Sequence, residues 1–137
     1  MTIVTTRREQ FDHWKLDVYK LAREFFLEAW ELGKRFRRED VVIRSQFLRA
    51  ALSIQLNIAE GSADYHPKEK AHFYRIARRS AHECCAVLDN LDVVLGIPIE
   101  KLDPYYHRLM IIISKLVQLD KSMMARAKSS SPRKRGQ

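Results

Sequence analysis

The sequence predicts an all-α protein, an antiparallel up-down four-helix bundle with a basic disordered C-terminal tail. Hydrophobic residues make up 46% of the 137-residue chain, which is too many for a disordered protein. Four glycines and four prolines are too few turn residues for a strand-rich sandwich. Four segments repeat apolar residues at intervals of three, four and seven, which is the spacing of one helical face.

The first two helices are predicted in the first half of the chain. Residues 13–36 form an amphipathic helix, because apolar side chains recur on one face from Trp14 to Phe36. Residues 39–61 repeat this pattern, and Gly61 supplies a left-handed stop.

The other two helices follow a short turn. Pro67 fits the first position of a third helix whose apolar face runs to Gly96. Asp103 is the predicted N-cap of a fourth helix and Pro104 its first residue. Short links between helices of similar length favour an antiparallel bundle.

A chain of this length is expected to form one core without disulfide or metal staples. The predicted parts are an N-terminal arm at 1–11, the bundle at 12–127 and a basic flexible tail at 128–137. The opening residues do not resemble a signal peptide, and we expect a cytoplasmic protein. The adjacent Cys84 and Cys85 fit neither an internal disulfide nor a metal motif, so buried thiols, no metal and no cofactor are expected.

The charge pattern suggests an acidic partner. The formal net charge is +8, and residues 34–79 carry an excess of six positive charges while their flanks are acidic. This basic band is either a phosphate-binding surface for RNA or DNA or a solvated, salt-bridged face. Its basic residues are Lys34, Arg35, Arg37, Arg38, Arg44, Arg49, Lys68, Lys70, Arg75, Arg78 and Arg79.

Polar residues border the apolar face of the second helix and continue on the third. Buried amides and carboxylates need partners, so this stripe either fixes helix register or contacts a ligand. The predicted polar network consists of Gln46, Ser53, Asn57, Glu60 and Glu83.

The first and fourth helices carry more apolar surface than one core requires. Soluble monomers rarely expose such stripes, so self-association is expected, although long side chains could also fold over a single core. The predicted oligomer interface consists of Leu16, Leu27, Trp30, Tyr106, Met110, Ile113 and Val117.

Three stretches resemble a known family. Trp14-Lys15-Leu16-Asp17-Val18-Tyr19 opens the first helix, a string of the form Q-x-x-R-A-A-x-S-I-x-x-N-I-A-E-G runs from Gln46 to Gly61, and Ile76-Ala77-Arg78-Arg79-Ser80 follows. Over about residues 12–120 the chain is similar to bacterial four-helix bundle proteins encoded in intervening sequences of 23S rRNA genes. The relatives of that family include the accessory variability determinant of diversity-generating retroelements. The resemblance implies a homopentameric ring with a basic surface, nucleic-acid binding and no established catalysis; in the retroelement branch, the ring also binds the reverse transcriptase.

Signatures of common enzymes are absent from the sequence. There is no Gly-rich phosphate loop, H-E-x-x-H or G-x-S-x-G motif. Arg75 and His82 fit the R-x4-6-H pattern of all-helical HEPN-type ribonucleases, but chance pairing of arginines with histidines explains this match. The leading interpretation is a non-enzymatic homo-oligomer that binds nucleic acid, with structured RNA as the expected ligand. The alternative is an adaptor that docks a reverse transcriptase, and a ribonuclease is less favoured.

Overall fold

The computed structural model describes residues 6–130, and that part of the chain is all-helical. Its elements are the 3-10 turns Arg7–Gln10 and Asp12–Lys15, α1 (Asp17–Gly33), the 3-10 turn Arg38–Asp40, α2 (Val41–Ala63), α3 (Pro67–Leu88), the single turn α4 (Leu91–Val94) and α5 (Ile99–Ser130). The predicted all-α class with four long helices is confirmed. Within residues 6–130, no helix combines the length and apolar character needed to cross a membrane.

The four long helices surround one core. α2 packs against α1 and α3, and α5 packs against α3 and α1. Each helix contributes fully buried side chains, among them Phe25, Phe47, Leu88 and Ile112. The rings of Phe25 and Phe47 meet edge to face with their centroids 6.2 Å apart. Burial of each such side chain contributes about 1.5 to 3 kcal/mol, so this shared core holds the helices together.

Gly61 lies inside α2, and the predicted left-handed stop at this residue is wrong. The backbone φ of Gly61 is not positive, and α2 continues to Ala63. A Cβ atom on Gly61 would lie 2.7 Å from Cε1 of Tyr74 on α3. The glycine is therefore required by the close approach of two helices rather than by a turn.

The predicted third helix is interrupted. α3 ends at Leu88, and α4 forms a separate turn. The amide of Asn90 donates from Nδ2 to the carbonyl of Ala86, which helps to terminate α3. Gly96 has a φ of 63°, the left-handed conformation that lets the chain leave this region.

α5 begins earlier than predicted, at Ile99, so the assignment of Asp103 as its N-cap is wrong. The early start places Leu102, which is 1% exposed, in the core. Pro104 then lies inside the helix and has no N–H to donate to the carbonyl of Glu100. Burial of the leucine offsets the lost hydrogen bond.

The two ends of the chain differ from prediction in detail. α1 begins at Asp17 rather than at residue 13, because Arg7–Gln10 and Asp12–Lys15 form 3-10 turns, the first of them within the predicted arm. Residues 1–5 of that arm lie outside the described residues. At the other end α5 extends to Ser130, so the first three residues of the predicted tail are helical. The rest of the predicted tail, 131–137, lies outside the described residues.

Candidate nucleic-acid interface

The predicted basic band does not form one surface. Ser53 on α2 and Ser80 on α3 meet at mid-helix with their Oγ atoms 2.8 Å apart. Near the start of α3, Lys70 donates from Nζ to the carbonyls of Gly61 and Ser62, at 3.1 and 2.8 Å, near the end of α2. The two helices therefore run side by side in opposite directions. Because α2 is about 34 Å long, the cations that precede it lie far from those at the start of α3.

Two of the cations around the start of α2 stabilise the fold. Arg37 donates from Nε to Oδ2 of Asp40 at 3.2 Å, and its backbone N–H donates to the same oxygen at 2.9 Å. These hydrogen bonds hold the pKa of Asp40 below its usual range. Arg44 donates from Nε to the carbonyl of Gly33 at 3.0 Å and so fixes the end of α1 against α2. Neutralising Arg37 or Arg44 would disturb the structure as well as the charge.

Other cations in this part of the molecule are exposed. Lys34 forms a surface pair with Glu31 at 2.9 Å. The side chains of Arg35 and Arg38 are exposed and make no hydrogen bond or ion pair within residues 6–130, and the same holds for the side chain of Arg49 on α2. These three arginines can contact a ligand without breaking a contact of the fold.

On α3, two arginines share one carboxylate. Arg75 binds Asp120 of α5 through Nε and a terminal nitrogen, both at 2.9 Å from a carboxylate oxygen. Arg78 lies 3.9 Å from the same carboxylate. The hydrogen bond to Asp120 raises the pKa of Arg75, so the guanidinium stays charged. The pair joins α3 to α5 and leaves the outer N–H groups of both arginines available for a phosphate.

Three further cations of α3 differ in their roles. Lys70 is half-buried because it caps the carbonyls of α2, and burial together with the nearby Arg126 lowers its pKa. Lys68 and Arg79 are exposed, and neither side chain has a hydrogen-bonding or ion-pair partner in the described part of the chain. Lys68 and Arg79 are therefore available for binding.

Charge is segregated along α3 and α5. Residues 67–82 and 114–130 carry nine lysines and arginines but only two acidic residues, Glu69 and Asp120. Residues 83–113 carry five acidic and two basic residues. The contact between Arg75 and Asp120 places the two cationic stretches side by side. We call this surface the α3–α5 basic face and define it by Lys68, Arg75, Arg78, Arg79, Lys121 and Lys128.

The predicted polar network is brought together only in part. Asn57 donates from Nδ2 to the carbonyl and the hydroxyl of Ser53, at 2.9 and 3.0 Å, and the Ser53 hydroxyl meets that of Ser80. These bonds fix the register of α2 against α3. The other predicted members are exposed, and their side chains make no hydrogen bond within residues 6–130: Gln46, Glu60 and Glu83.

Two of those exposed residues line a groove instead. Gln46 and Glu83 lie at the edges of a groove of about 570 Å³ between the start of α2 and the end of α3. Ile43 and Val87 contribute apolar surface to it, and Asp40, which also lines it, is already bound to Arg37. The groove lies at the acidic end of α3, away from the basic face.

The predicted apolar stripe of α1 is partly exposed. Leu27 and Trp30 are 45% and 47% exposed, whereas Leu16 precedes α1 and is half-buried. On the neighbouring helix α2, Leu52 and Leu56 are 37% and 52% exposed, and the interface predicted from the sequence does not include them. We call Leu27, Trp30, Leu52 and Leu56 the α1–α2 apolar patch.

The predicted apolar stripe of α5 mostly turns inward. Tyr106 and Ile113 are half-buried against the core, and Val117 is half-buried as well. Tyr106 also donates its hydroxyl to Asp89 at 2.8 Å. Met110 is the exposed member of this stripe, at 68%.

The residues considered for catalysis or metal binding do not form a common site in the described part of the chain. Arg75 is held by Asp120, and His82 is exposed. Cys84 is buried, and burial raises the pKa of its thiol, which opposes formation of a thiolate nucleophile. Within residues 6–130, no group of three or more His, Cys, Asp or Glu side chains is placed to hold a metal ion.

Comparison with known protein families gives a match over residues 14–118 to the 23S rRNA-intervening sequence protein family. The chain belongs to that family. Comparisons with curated proteins and with solved structures give no match. The family match begins at Trp14 and covers α1 to α4 and most of α5.

Part of the candidate interface of this intervening sequence protein lies outside the residues that match the family. The match ends two residues before Asp120, so the ion pair with Arg75 and the cations Lys121 and Lys128 depend on residues outside it. The sites predicted from the sequence include none of Asp120, Lys121 and Lys128. The available signal was the absence of acidic residues after Asp120, which leaves the end of α5 purely cationic.

Proposed function

We propose that this protein binds structured RNA, without catalysis, through phosphate contacts to the α3–α5 basic face. The charge segregation along α3 and α5 carries the proposal, because it concentrates cations on two adjacent helices. Phosphate contacts supply most of the affinity in such binding and carry no sequence information. We therefore expect affinity that depends strongly on salt and weakly on sequence.

A binding titration with a structured RNA at several salt concentrations tests the proposal. The test variant combines Lys68→Gln with Arg79→Gln, because neither side chain has a partner in the described part of the chain. The matched control combines Arg35→Gln with Arg38→Gln, which removes the same charge near the other end of α2. If both cations contact phosphates, the test variant should lower the slope of log affinity against log salt by nearly two.

The control variant distinguishes binding at the α3–α5 basic face from binding that depends only on net charge. Its affinity should stay within about threefold of wild type, since its arginines lie far from the basic face, whereas the test variant should lose more than tenfold. Equal losses in both variants would show that net charge alone governs binding. Removal of residues 128–137 should weaken RNA binding modestly. Complete loss of binding in that deletion would show that the tail, not the α3–α5 basic face, binds the RNA.

Absence of catalysis is part of the proposal. The arginine of the candidate ribonuclease pair, Arg75, is engaged by Asp120, and the buried thiol of Cys84 is a poor nucleophile. Incubation with structured RNA, with and without divalent metal, should leave the RNA intact. Cleavage that is lost in both Arg75→Ala and His82→Ala would overturn this part of the proposal.

We propose that the protein self-associates through the α1–α2 apolar patch, with a pentameric ring of antiparallel four-helix bundles as the expected form. Four large apolar side chains exposed on adjacent helices favour a protein interface. Light scattering should give a multiple of the 16.1 kDa chain for wild type and a monomer for Leu56→Asp. Met110→Asp is the control on α5, since Met110 is more exposed yet lies outside the patch. Dissociation of the control alone would instead support the α5 stripe.

The α1–α2 apolar patch also favours a second candidate function. Such a surface could dock a partner protein, and a reverse transcriptase is the partner expected if the chain is related to the accessory variability determinant of retroelements. A reverse transcriptase gene beside this one, with template and variable repeats, would support the adaptor. Copurification of that enzyme with wild type but not with Leu56→Asp would locate its docking surface.

A further inference from the structure

The turn between α2 and α3 is short and internally fixed. α2 ends at Ala63 and α3 begins at Pro67, which leaves three residues to reverse the chain. Asp64 accepts the backbone N–H of His66 on its Oδ1 at 2.8 Å, which closes the turn from within. Proline at the first helical position restricts the backbone that follows. The middle residue of the turn, Tyr65, is thus held at its apex.

Tyr65 differs from the other tyrosines of the chain in its surroundings. Its exposed fraction is 92%, whereas Tyr19 and Tyr74 are 8% and 3% exposed. Tyr106 is half-buried and hydrogen bonded to Asp89. The side chain of Tyr65 makes no hydrogen bond or ring contact within residues 6–130. Both faces of its ring are open on a turn of fixed shape.

The turn leads directly into the α3–α5 basic face. Lys68 lies in the first turn of α3, and Arg75 and Arg79 follow on the same side of the helix, about 11 and 17 Å further along its axis. Acidic side chains near the turn are Asp12, Glu60 and Glu69, which are exposed, and Asp64, whose carboxylate is engaged in the turn. The aromatic ring therefore lies at one end of a row of cations.

We propose that Tyr65 is a stacking platform for an unpaired base of the bound RNA. This inference rests on the proposed function and adds the class of ligand. A base in a continuous duplex is stacked on its neighbours and cannot reach a ring, whereas an unpaired base in a loop or bulge can. With that base on Tyr65, the adjoining phosphates would lie on Lys68 and then along α3. The preferred ligand is thus an RNA stem that carries unpaired nucleotides, not an uninterrupted duplex.

The test compares two RNAs of the same stem, a hairpin with 2-aminopurine in its unpaired loop and a blunt duplex. Wild type, Tyr65→Ala and Tyr65→Phe are titrated as full-length chains at one salt concentration. Stacking is worth about 1 to 3 kcal/mol per base, so Tyr65→Ala should lower hairpin affinity by about tenfold and abolish quenching of the fluorescent base. Tyr65→Phe keeps the ring and should behave like wild type. Duplex affinity should be the same for all three proteins.

The control variant is Val93→Ala, which truncates an 84% exposed apolar side chain on α4, and it should bind both RNAs like wild type. Wild-type affinity and quenching in Tyr65→Ala would overturn the stacking inference while leaving phosphate binding intact. An equal loss of affinity for duplex and hairpin would overturn it as well. If wild type binds neither RNA at low salt, the proposed function itself fails. Circular dichroism of each variant verifies that the helices are retained.

Discussion

Replacement of Gly61 by alanine should destabilise the protein, which is the opposite of the usual effect of this change in a helix. In an exposed helix, alanine is about 1 kcal/mol more favourable than glycine. At Gly61 the new Cβ would lie 2.7 and 3.0 Å from two ring carbons of Tyr74 and 3.2 Å from Cβ of Phe73. Carbon atoms normally approach to about 3.5 to 4.0 Å, so the overlap with the ring is severe.

The surroundings decide the magnitude. Tyr74 is 3% exposed, so its ring cannot swing into solvent to make room. Overpacking costs about 1 to 3 kcal/mol, and the 2.7 Å approach to a buried ring places Gly61→Ala in the upper part of that range, above the gain of about 1 kcal/mol in helix propensity. We expect Gly61→Ala to lower the free energy of unfolding by about 1 to 2 kcal/mol, equivalent to roughly 3 to 8 °C in Tm. Urea and thermal unfolding followed by circular dichroism, at one protein concentration because association also stabilises, measure this loss.

Gly33 is the matched control for this experiment. It ends α1 with a φ that is not positive, and an added Cβ would meet Leu48 at 3.4 Å, an ordinary contact with a flexible side chain. Gly33→Ala should therefore be neutral or stabilising by up to about 1 kcal/mol. A Gly61→Ala protein as stable as wild type, or an equal loss in Gly33→Ala, would refute the argument from helix contact.

Three further outcomes are expected. Asp120→Asn should reduce stability by about 1 to 2 kcal/mol in urea unfolding, because Arg75 loses a charged hydrogen-bond partner at a partly exposed site. Stability should also fall as the pH rises from about 10 towards 12. Burial and a hydrogen bond to Asp89 raise the pKa of Tyr106 to about 12 in the folded protein. The unfolded chain therefore loses the Tyr106 phenol proton at a lower pH than the folded protein, which favours unfolding. Urea titrations at several pH values should show a smaller fall for Tyr106→Phe. Iodoacetamide at pH 8 should modify Cys84 in urea but not in the native protein, as mass spectrometry can measure, because burial raises the pKa of this thiol.

The helices could be predicted from the sequence because their apolar residues follow the period of a helix, but several ends could not. Gly61 shows why. A glycine is equally compatible with the left-handed conformation at a helix end and with a close contact between two helices, and only the position of Tyr74 in the folded protein distinguishes these roles. Pro104 is likewise compatible with the first position of a helix, although burial of Leu102 extends the helix ahead of it. In both cases a tertiary contact outweighs a local preference.

The candidate site was less predictable than the fold. Arg37 and Lys68 belong to one basic stretch of sequence, yet α2 carries the chain about 34 Å between them. Conversely, Arg75 and Asp120 are 45 residues apart and form an ion pair that includes a hydrogen bond. The charged residues can be identified from the sequence, but their ion-pair partners cannot, because these depend on the packing of α3 against α5.

The separation of charge along α3 and α5 gives this pair of helices an electric dipole parallel to their axes. A polyanion at a distance should turn the molecule before contact, so the association rate as well as the affinity should fall with salt. In a cyclic ring whose axis runs along the helices, the helices of every copy point in the same direction, so the cationic ends of all copies lie on one side of the ring. In a dimer with its twofold axis across the helices, the same ends would point in opposite directions. The symmetry of the assembly therefore decides whether the phosphate contacts of its copies add together on one RNA.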